Sequence, residues 1–138
     1  MTREAPLESP RIAPCLMFDG DAEEAMRFYV ESFPESSVDS VERWGKDEPS
    51  SVGKIKSAQF TLAGRAMRCF DSPLKHDFGF TPSVSLFVTS GTEAEVERLA
   101  ARLSDGGAVL MPLDSYEFSR KYAWVQDRFG VSWQLFFQ

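Results

Sequence analysis

The chain is poor in the residues that make the commonest cross-links and metal sites: 138 residues hold two cysteines and one histidine. That scarcity excludes a disulfide-stapled secreted scaffold and leaves no Cys/His spacing of the structural-zinc kind. Cys15 and Cys69 fall in expected strands with no basic or His partner nearby in sequence, so they read as reduced, packed thiols. Positive charge is also short, with 15 Lys and Arg against 21 Asp and Glu, a net charge of −6. A surface of that sign repels phosphate backbones, and no nucleic-acid partner is expected. No apolar run approaches the ~20 residues of a membrane helix, and no basic-then-apolar leader is visible. The expectation is a cytoplasmic protein without membrane association.

Apolar and aromatic residues are plentiful, at 43% and 13%, including twelve Phe and three Trp. This is a globular composition. A unit of ~70 residues could bury only a modest core alone, so the length fits one domain or two halves sharing a core. The sequence favours two halves because it says the same thing twice. Leu16-Met17-Phe18 runs through Asp19-Gly20-Asp21 into Ala22-Glu23-Glu24-Ala25-Met26-Arg27-Phe28-Tyr29; half a chain later Leu86-Phe87-Val88 runs through Thr89-Ser90-Gly91-Thr92 into Glu93-Ala94-Glu95-Val96-Glu97-Arg98-Leu99.

Residues 1–10 lack periodicity and read as a disordered tail. Ile12 to Phe18 is an expected strand, followed by a helix with Asp21 as N-cap and Glu24 three positions on. Ala22, Ala25, Met26, Tyr29, Val30 and Phe33 share its apolar face, and Pro34 stops it. Val38 to Trp44 reads as a strand, then a Gly/Asp/Pro/Ser loop, then a hairpin of Ile55 to Leu62 and Ala66 to Phe70 turning at Gly64. A Pro/Gly/aromatic connector, residues 72–82, separates module 11–71 from module 83–138. The second module repeats the order: Val84 to Val88; a helix capped by Thr92 with Val96, Leu99, Ala100 and Leu103 inward; a stop at Asp105-Gly106-Gly107; Val109 to Leu113. A long loop from Asp114 to Arg120 then leads to a hairpin of Tyr122 to Gln126 and Val131 to Phe137. The predicted fold class is α+β, two β-α-β-β-β modules in one domain over 11–138.

Paired modules of this kind resemble the vicinal oxygen chelate superfamily, with its glyoxalase, bleomycin-resistance and dioxygenase members. The stretches Leu16 to Ala25, Phe70-Asp71-Ser72-Pro73, Val109 to Asp114 and Trp124 to Leu135 are similar to its PhnB-like branch, often labelled a 3-demethylubiquinone-9 3-methyltransferase domain. The Asp127-Arg128-Phe129-Gly130-Val131-Ser132-Trp133-Gln134-Leu135 run is the most specific of them. The resemblance implies curved mixed sheets around a cleft, and a homodimer. It also implies four metal-ligand positions, which fall here on Pro14, Arg68, Ser83 and Gln134.

Those four suit a metal badly. Proline has no side-chain donor, arginine is cationic, serine is a poor ligand, and one neutral amide cannot hold an ion. Neither a metal nor another cofactor is therefore expected. Nearby offsets bring in Cys15, Asp19, Cys69, Asp71 or the connector's His76, but a one-residue slip turns a strand side chain to the opposite face. Gln134 reads either as pocket-facing or as a structural amide. Arg68 reads either as an edge residue snorkelling to water or as a cleft cation for a carboxylate or phenolate. Among the aromatics, Phe18, Trp44, Tyr116 and Trp124 join Arg68 and Gln134 as the expected ligand-binding set. Tyr116 and Phe118, in the loop before the final hairpin, and Phe78 and Phe80, in the connector, lie where a lid would sit.

Three functions follow: a small-molecule binding protein working without the usual metal, a metal-dependent lyase, isomerase or dioxygenase, and a structural or regulatory dimer. The methyl transfer named by the branch label has little support, because no Gly-x-Gly-x-x-Gly follows a strand and no doubly wound alternation would hold S-adenosylmethionine.

Overall fold

The computed structural model describes residues 8–138. The chain divides into two compact units, one ending at Pro73 and the other spanning Leu74–Gln138. The first contains β1 (Cys15–Phe18), α1 (Ala22–Ser32), β2 (Ser37–Arg43), a short 3-10 turn (Pro49–Ser51), β3 (Ile55–Leu62) and β4 (Arg65–Asp71). The second contains β5 (Ser85–Thr89), α2 (Glu93–Ser104), β6 (Ala108–Tyr116), β7 (Ser119–Gln126) and β8 (Ser132–Phe137). Their four-stranded sheets run β1-β4-β3-β2 and β5-β8-β7-β6. In each, the first strand lies parallel to the last and the remaining pairs are antiparallel. The fold is α+β, with β-α-β-β-β order twice. No helix among the described residues is long and apolar enough to cross a membrane.

The helices form because apolar residues recur at helical spacing and pack on one sheet face. From α1, Ala22, Ala25, Met26 and Tyr29 are fully buried, against Ile55, Phe60 and Cys69 of the sheet; from α2, Val96, Leu99 and Leu103 are buried with Val125, Trp133 and Leu135. Burying each such large side chain contributes roughly 1.5–3 kcal/mol. Thr92 caps α2, its Oγ1 accepting from the Glu95 N–H at 3.2 Å. The β3–β4 turn is closed by two residues, Ala63 and Gly64, both with positive φ (49° and 79°), between the paired Leu62 and Arg65. That is the left-handed geometry that matches strand twist in a two-residue hairpin.

Four local expectations need correction. β1 begins at Cys15 and not at Ile12, which is 97% exposed; Pro14, just before the strand, has no N–H for a ladder. Asp21 makes no side-chain cap bond to α1. Asp71, at the end of β4, takes that role: its Oδ1 accepts from the N–H groups of Gly20 (2.8 Å) and Ala22 (3.0 Å), and its Oδ2 from Ile55 (3.0 Å). Gly107 is more than a helix stop, because a Cβ there would collide with the Gln126 carbonyl oxygen; Gly106, with φ 76°, makes the stop. Finally, there is no long loop at residues 114–120. β6 continues through register shifts to Tyr116, which pairs with Ser119 across a tight turn at Glu117 and Phe118. Of the expected tail at residues 1–10, residues 1–7 lie outside the described residues, and Glu8, Ser9 and Pro10 are exposed.

Candidate ligand-binding site

Each sheet has one face on its helix and one facing away, and strand pairing sorts the expected site residues between them. In the second unit, Trp124 lies opposite Gln134, Gln134 opposite Phe87, and Met111 opposite Trp124, so these four share the face away from α2. Trp133 and Leu135 point the other way and are fully buried. Phe87 is 56% exposed although it sits in a strand, and its ring lies 5.5 Å from that of Phe136.

Beside this row stands an aromatic cluster. Tyr116 stacks on Phe118 at 5.6 Å, and Tyr122 meets both edge-on at 5.6 and 4.8 Å. The Tyr122 hydroxyl donates to Gln134 Oε1 at 2.7 Å; burial, together with the nearby Tyr116, holds its pKa above the ordinary phenol value. The Tyr116 hydroxyl donates to the Pro112 carbonyl at 2.6 Å. Trp124 Nε1 donates to Ser132 Oγ at 2.8 Å, and Ser132 Oγ lies 2.7 Å from Ser85 Oγ. The outcome is an aromatic face with one amide at its centre. Tyr116 is part of that wall as a strand residue and not as a loop lid.

The first unit is built differently. Arg68 shares its face with Cys15 and Gln59, its register partners, and its Nη2 donates to Ser57 Oγ at 3.1 Å. It is exposed, yet β4 is flanked by β1 and β3, so the edge-strand reading of Arg68 is wrong. Phe18 is 5% exposed and belongs to the core on the opposite face. Phe18 is therefore not a ligand contact beside Arg68: it lies three positions after Cys15, and strand alternation turns it inward. Trp44 is half-buried just after β2, its Nε1 donating to the Asp71 carbonyl at 2.9 Å and its ring 5.4 Å from Lys56 Nζ. Tyr116, Trp124 and Gln134 are brought together; Phe18, Trp44 and Arg68 are not.

The four inherited ligand positions do not fit a metal. The Pro14 carbonyl accepts from the Arg68 N–H at 2.9 Å, and Arg68 itself is a cation. Ser83 lies in the turn before β5, its Oγ 2.7 Å from Thr81 Oγ1, and Gln134 Oε1 is held by Tyr122. No group of three or more His, Cys, Asp or Glu among the described residues is arranged to hold an ion. Cys69 is buried 3.9 Å from Met26 Sδ, and burial, with Asp71 adding to it, pushes its thiol pKa up to about 12. It is a core residue; Cys15 is exposed. His76 stacks near Phe78 at 4.7 Å in the connector, while Phe80 packs against Gly130.

A depression of about 550 Å³ lies at the start of α1, lined in part by Glu23, Arg27, Lys54 and Asp71. Four of its charged side chains are committed within the protein: Glu23 to Arg43 and Arg27, Lys54 to the Gly20 carbonyl, Asp71 to three backbone N–H groups. The aromatic face is the better candidate.

Sequence reasoning missed Tyr122, Phe87, Phe136 and Met111. Alternation of period two through Tyr122-Trp124-Gln126 and Ser132-Gln134-Phe136 would have found two of them. It read the Asp127 to Leu135 run as the most specific mark of the family, and most of that run turns out to be structural. Asp127 Oδ1 accepts from the N–H groups of Phe129 (2.9 Å) and Val131 (3.0 Å), its Oδ2 accepts from Trp133 Nε1 (2.9 Å), and Gly130 has φ 97°. Within β8, the part of the run up to Leu135 puts Ser132 and Gln134 on the face away from α2.

A family model for 3-demethylubiquinone-9 3-methyltransferase matches residues 10–136. The structure is similar to a PhnB protein from Bacillus cereus, 45% identical over 94% of this chain and 100% of that one, with a TM-score of 0.90. It is also similar to protein PA1353 from Pseudomonas aeruginosa, 27% identical over 94% and 98% of the two chains, TM-score 0.81. A glyoxylase/bleomycin resistance protein/dioxygenase domain from Frankia shares the fold, at 16% identity over 94% and 91%, TM-score 0.64. No curated protein matches. With its repeated β-α-β-β-β order and this breadth of likeness, the chain belongs to the 3-demethylubiquinone-9 3-methyltransferase, or PhnB-like, family.

Proposed function

We propose that this protein binds a small, largely apolar organic molecule on the aromatic face of its second sheet, without a resident metal. One observation carries the reading: Trp124 and Phe87 flank Gln134 on a face turned away from the helix, with Met111 next to Trp124, beside the Tyr116-Phe118-Tyr122 cluster. Exposed and half-buried aromatic and sulfur-bearing side chains around one oriented polar group are what recognition of a planar ligand requires. The donor chemistry of Pro14, Arg68, Ser83 and Gln134 supports binding without a metal. Methyl transfer, the activity in the family description, gains no support from the chain's two mixed sheets, which lack the parallel doubly wound crevice that a nucleotide-like cofactor uses.

The proposal extends to a cytoplasmic homodimer. Edge strand β6 supports the dimer, with Val109 and Leu110 exposed to 56% and 37%. Sedimentation at micromolar concentration should give twice the chain mass, and a monomer would remove that part.

A thermal-shift screen with bicyclic aromatic fragments tests the main reading. The expected result is a concentration-dependent rise in Tm for wild type that is lost in Trp124→Ala, unchanged by chelator treatment. If no fragment raises Tm, or if the rise requires a tightly held stoichiometric metal, the proposal fails.

A further inference from the structure

We infer that the ligand of this face presents a hydrogen-bond acceptor, a carbonyl or ether oxygen on a planar ring system, to Nε2 of Gln134; this rests on the binding role proposed above. Tyr122 is 3% exposed, and a buried phenol must find an acceptor. The acceptor beside it is Gln134 Oε1 at 2.7 Å, which fixes the orientation of the amide. Trp124 gives its only N–H to Ser132 Oγ, and Tyr116 gives its hydroxyl proton to the Pro112 carbonyl.

The side-chain donors of Tyr116, Tyr122 and Trp124 are thus spent on the protein itself. Gln134 Nε2 makes no hydrogen bond within the described residues, and the side chain is half-buried among Trp124, Phe87 and Tyr122. A ligand whose only polar group is a donor would leave that N–H facing a second donor. A pure hydrocarbon would cover it and desolvate it. A ketone, lactone, quinone-type carbonyl or aryl ether would satisfy it, and the neighbouring rings would hold the attached planar system.

The test uses a matched pair of probes on the whole protein, 2-acetylnaphthalene and 2-ethylnaphthalene, similar in size and differing chiefly in the carbonyl oxygen. Dissociation constants come from 15N-edited NMR titration, which also reports the Gln134 side-chain amide directly. Wild type should bind the ketone about five- to tenfold more tightly, with a downfield shift of the Gln134 Nε2 protons seen for the ketone alone. Gln134→Glu keeps an acceptor for Tyr122 and removes the donor; its preference should fall below about twofold, and Gln134→Met should behave likewise. Equal affinity for the two probes in wild type, or an undiminished preference in Gln134→Glu, would overturn the inference while leaving the binding face intact. Failure of both probes to bind wild type would overturn the face itself. The wild-type amide shift needs no variant, so a poorly folding substitution does not blunt the test.

Discussion

Asp71 shows how one side chain can replace several local signals. It is 2% exposed, and its two oxygens take N–H groups from the start of α1 and the start of β3. A carboxylate at a helix N-terminus is favoured by the unpaired donors and by the helix dipole. The capping pattern at Asp21 and Glu24 looked sufficient in the sequence, and nothing local reveals that a residue 49 positions away from Ala22 takes the role. Asp71→Asn loses one acceptor and turns an N–H toward backbone donors, so it should destabilise the fold by about 3 kcal/mol in urea unfolding. Asp21→Ala should change stability by less than about 0.5 kcal/mol, since that side chain makes no cap bond. Comparable losses for the two would contradict this division of labour. The same logic accounts for Asp127, which ties three donors of its own turn and strand.

Between elements, charge and backbone approach set the joints. Glu23 of α1 is held by Arg43 at the end of β2 and by Arg27 one turn on, which lowers its pKa from the ordinary 4.5 to about 2, Arg43 contributing most. A folded-state pKa below the unfolded one adds stability that is complete above the unfolded value and lost as pH falls through about 2. The side chain is 36% exposed, so salt screens the effect. Arg43→Ala should flatten the acid limb of a stability profile, and high salt should do the same to wild type; an unchanged limb would remove this pair from the account. At the α2–β6 joint, Gly107→Ala would place a methyl group on the Gln126 and Asp127 backbone. A backbone shift of that size should cost about 3 kcal/mol or more, seen as a lowered urea midpoint. β6 itself escaped sequence reading for a physical reason. Pro112 and the Asp114-Ser115 pair look like loop residues, yet on an edge strand the missing proline N–H costs no ladder bond, and the register shifts absorb the irregularity.

For the molecule as a whole, duplication is legible because it is written in short-range terms: the apolar stripes of α1 and α2, the Thr92 cap and the glycine turns at Gly64 and Gly130. The site is legible only in part, because it depends on register. Gln134, Trp124, Tyr122 and Phe136 are within reach of strand alternation, whereas Phe87 and Met111 join them through cross-strand pairing that the sequence does not print, and Tyr116 lies in a stretch that reads as loop. Phe18 fell on the wrong side for the same reason, since an apolar strand residue carries no mark of the face it will occupy. The two units have kept one topology and diverged in chemistry, with Arg68, Gln59 and Ser57 on one outward face and aromatics around an amide on the other. The central claim is that this second face binds a ligand, and 15N-edited NMR titration of wild type with 2-acetylnaphthalene tests it most directly. The account predicts saturable shifts of the Trp124 indole N–H and the Gln134 side-chain amide, following one dissociation constant. Absence of saturable shifts at both groups, or saturable shifts confined to other residues, would contradict it.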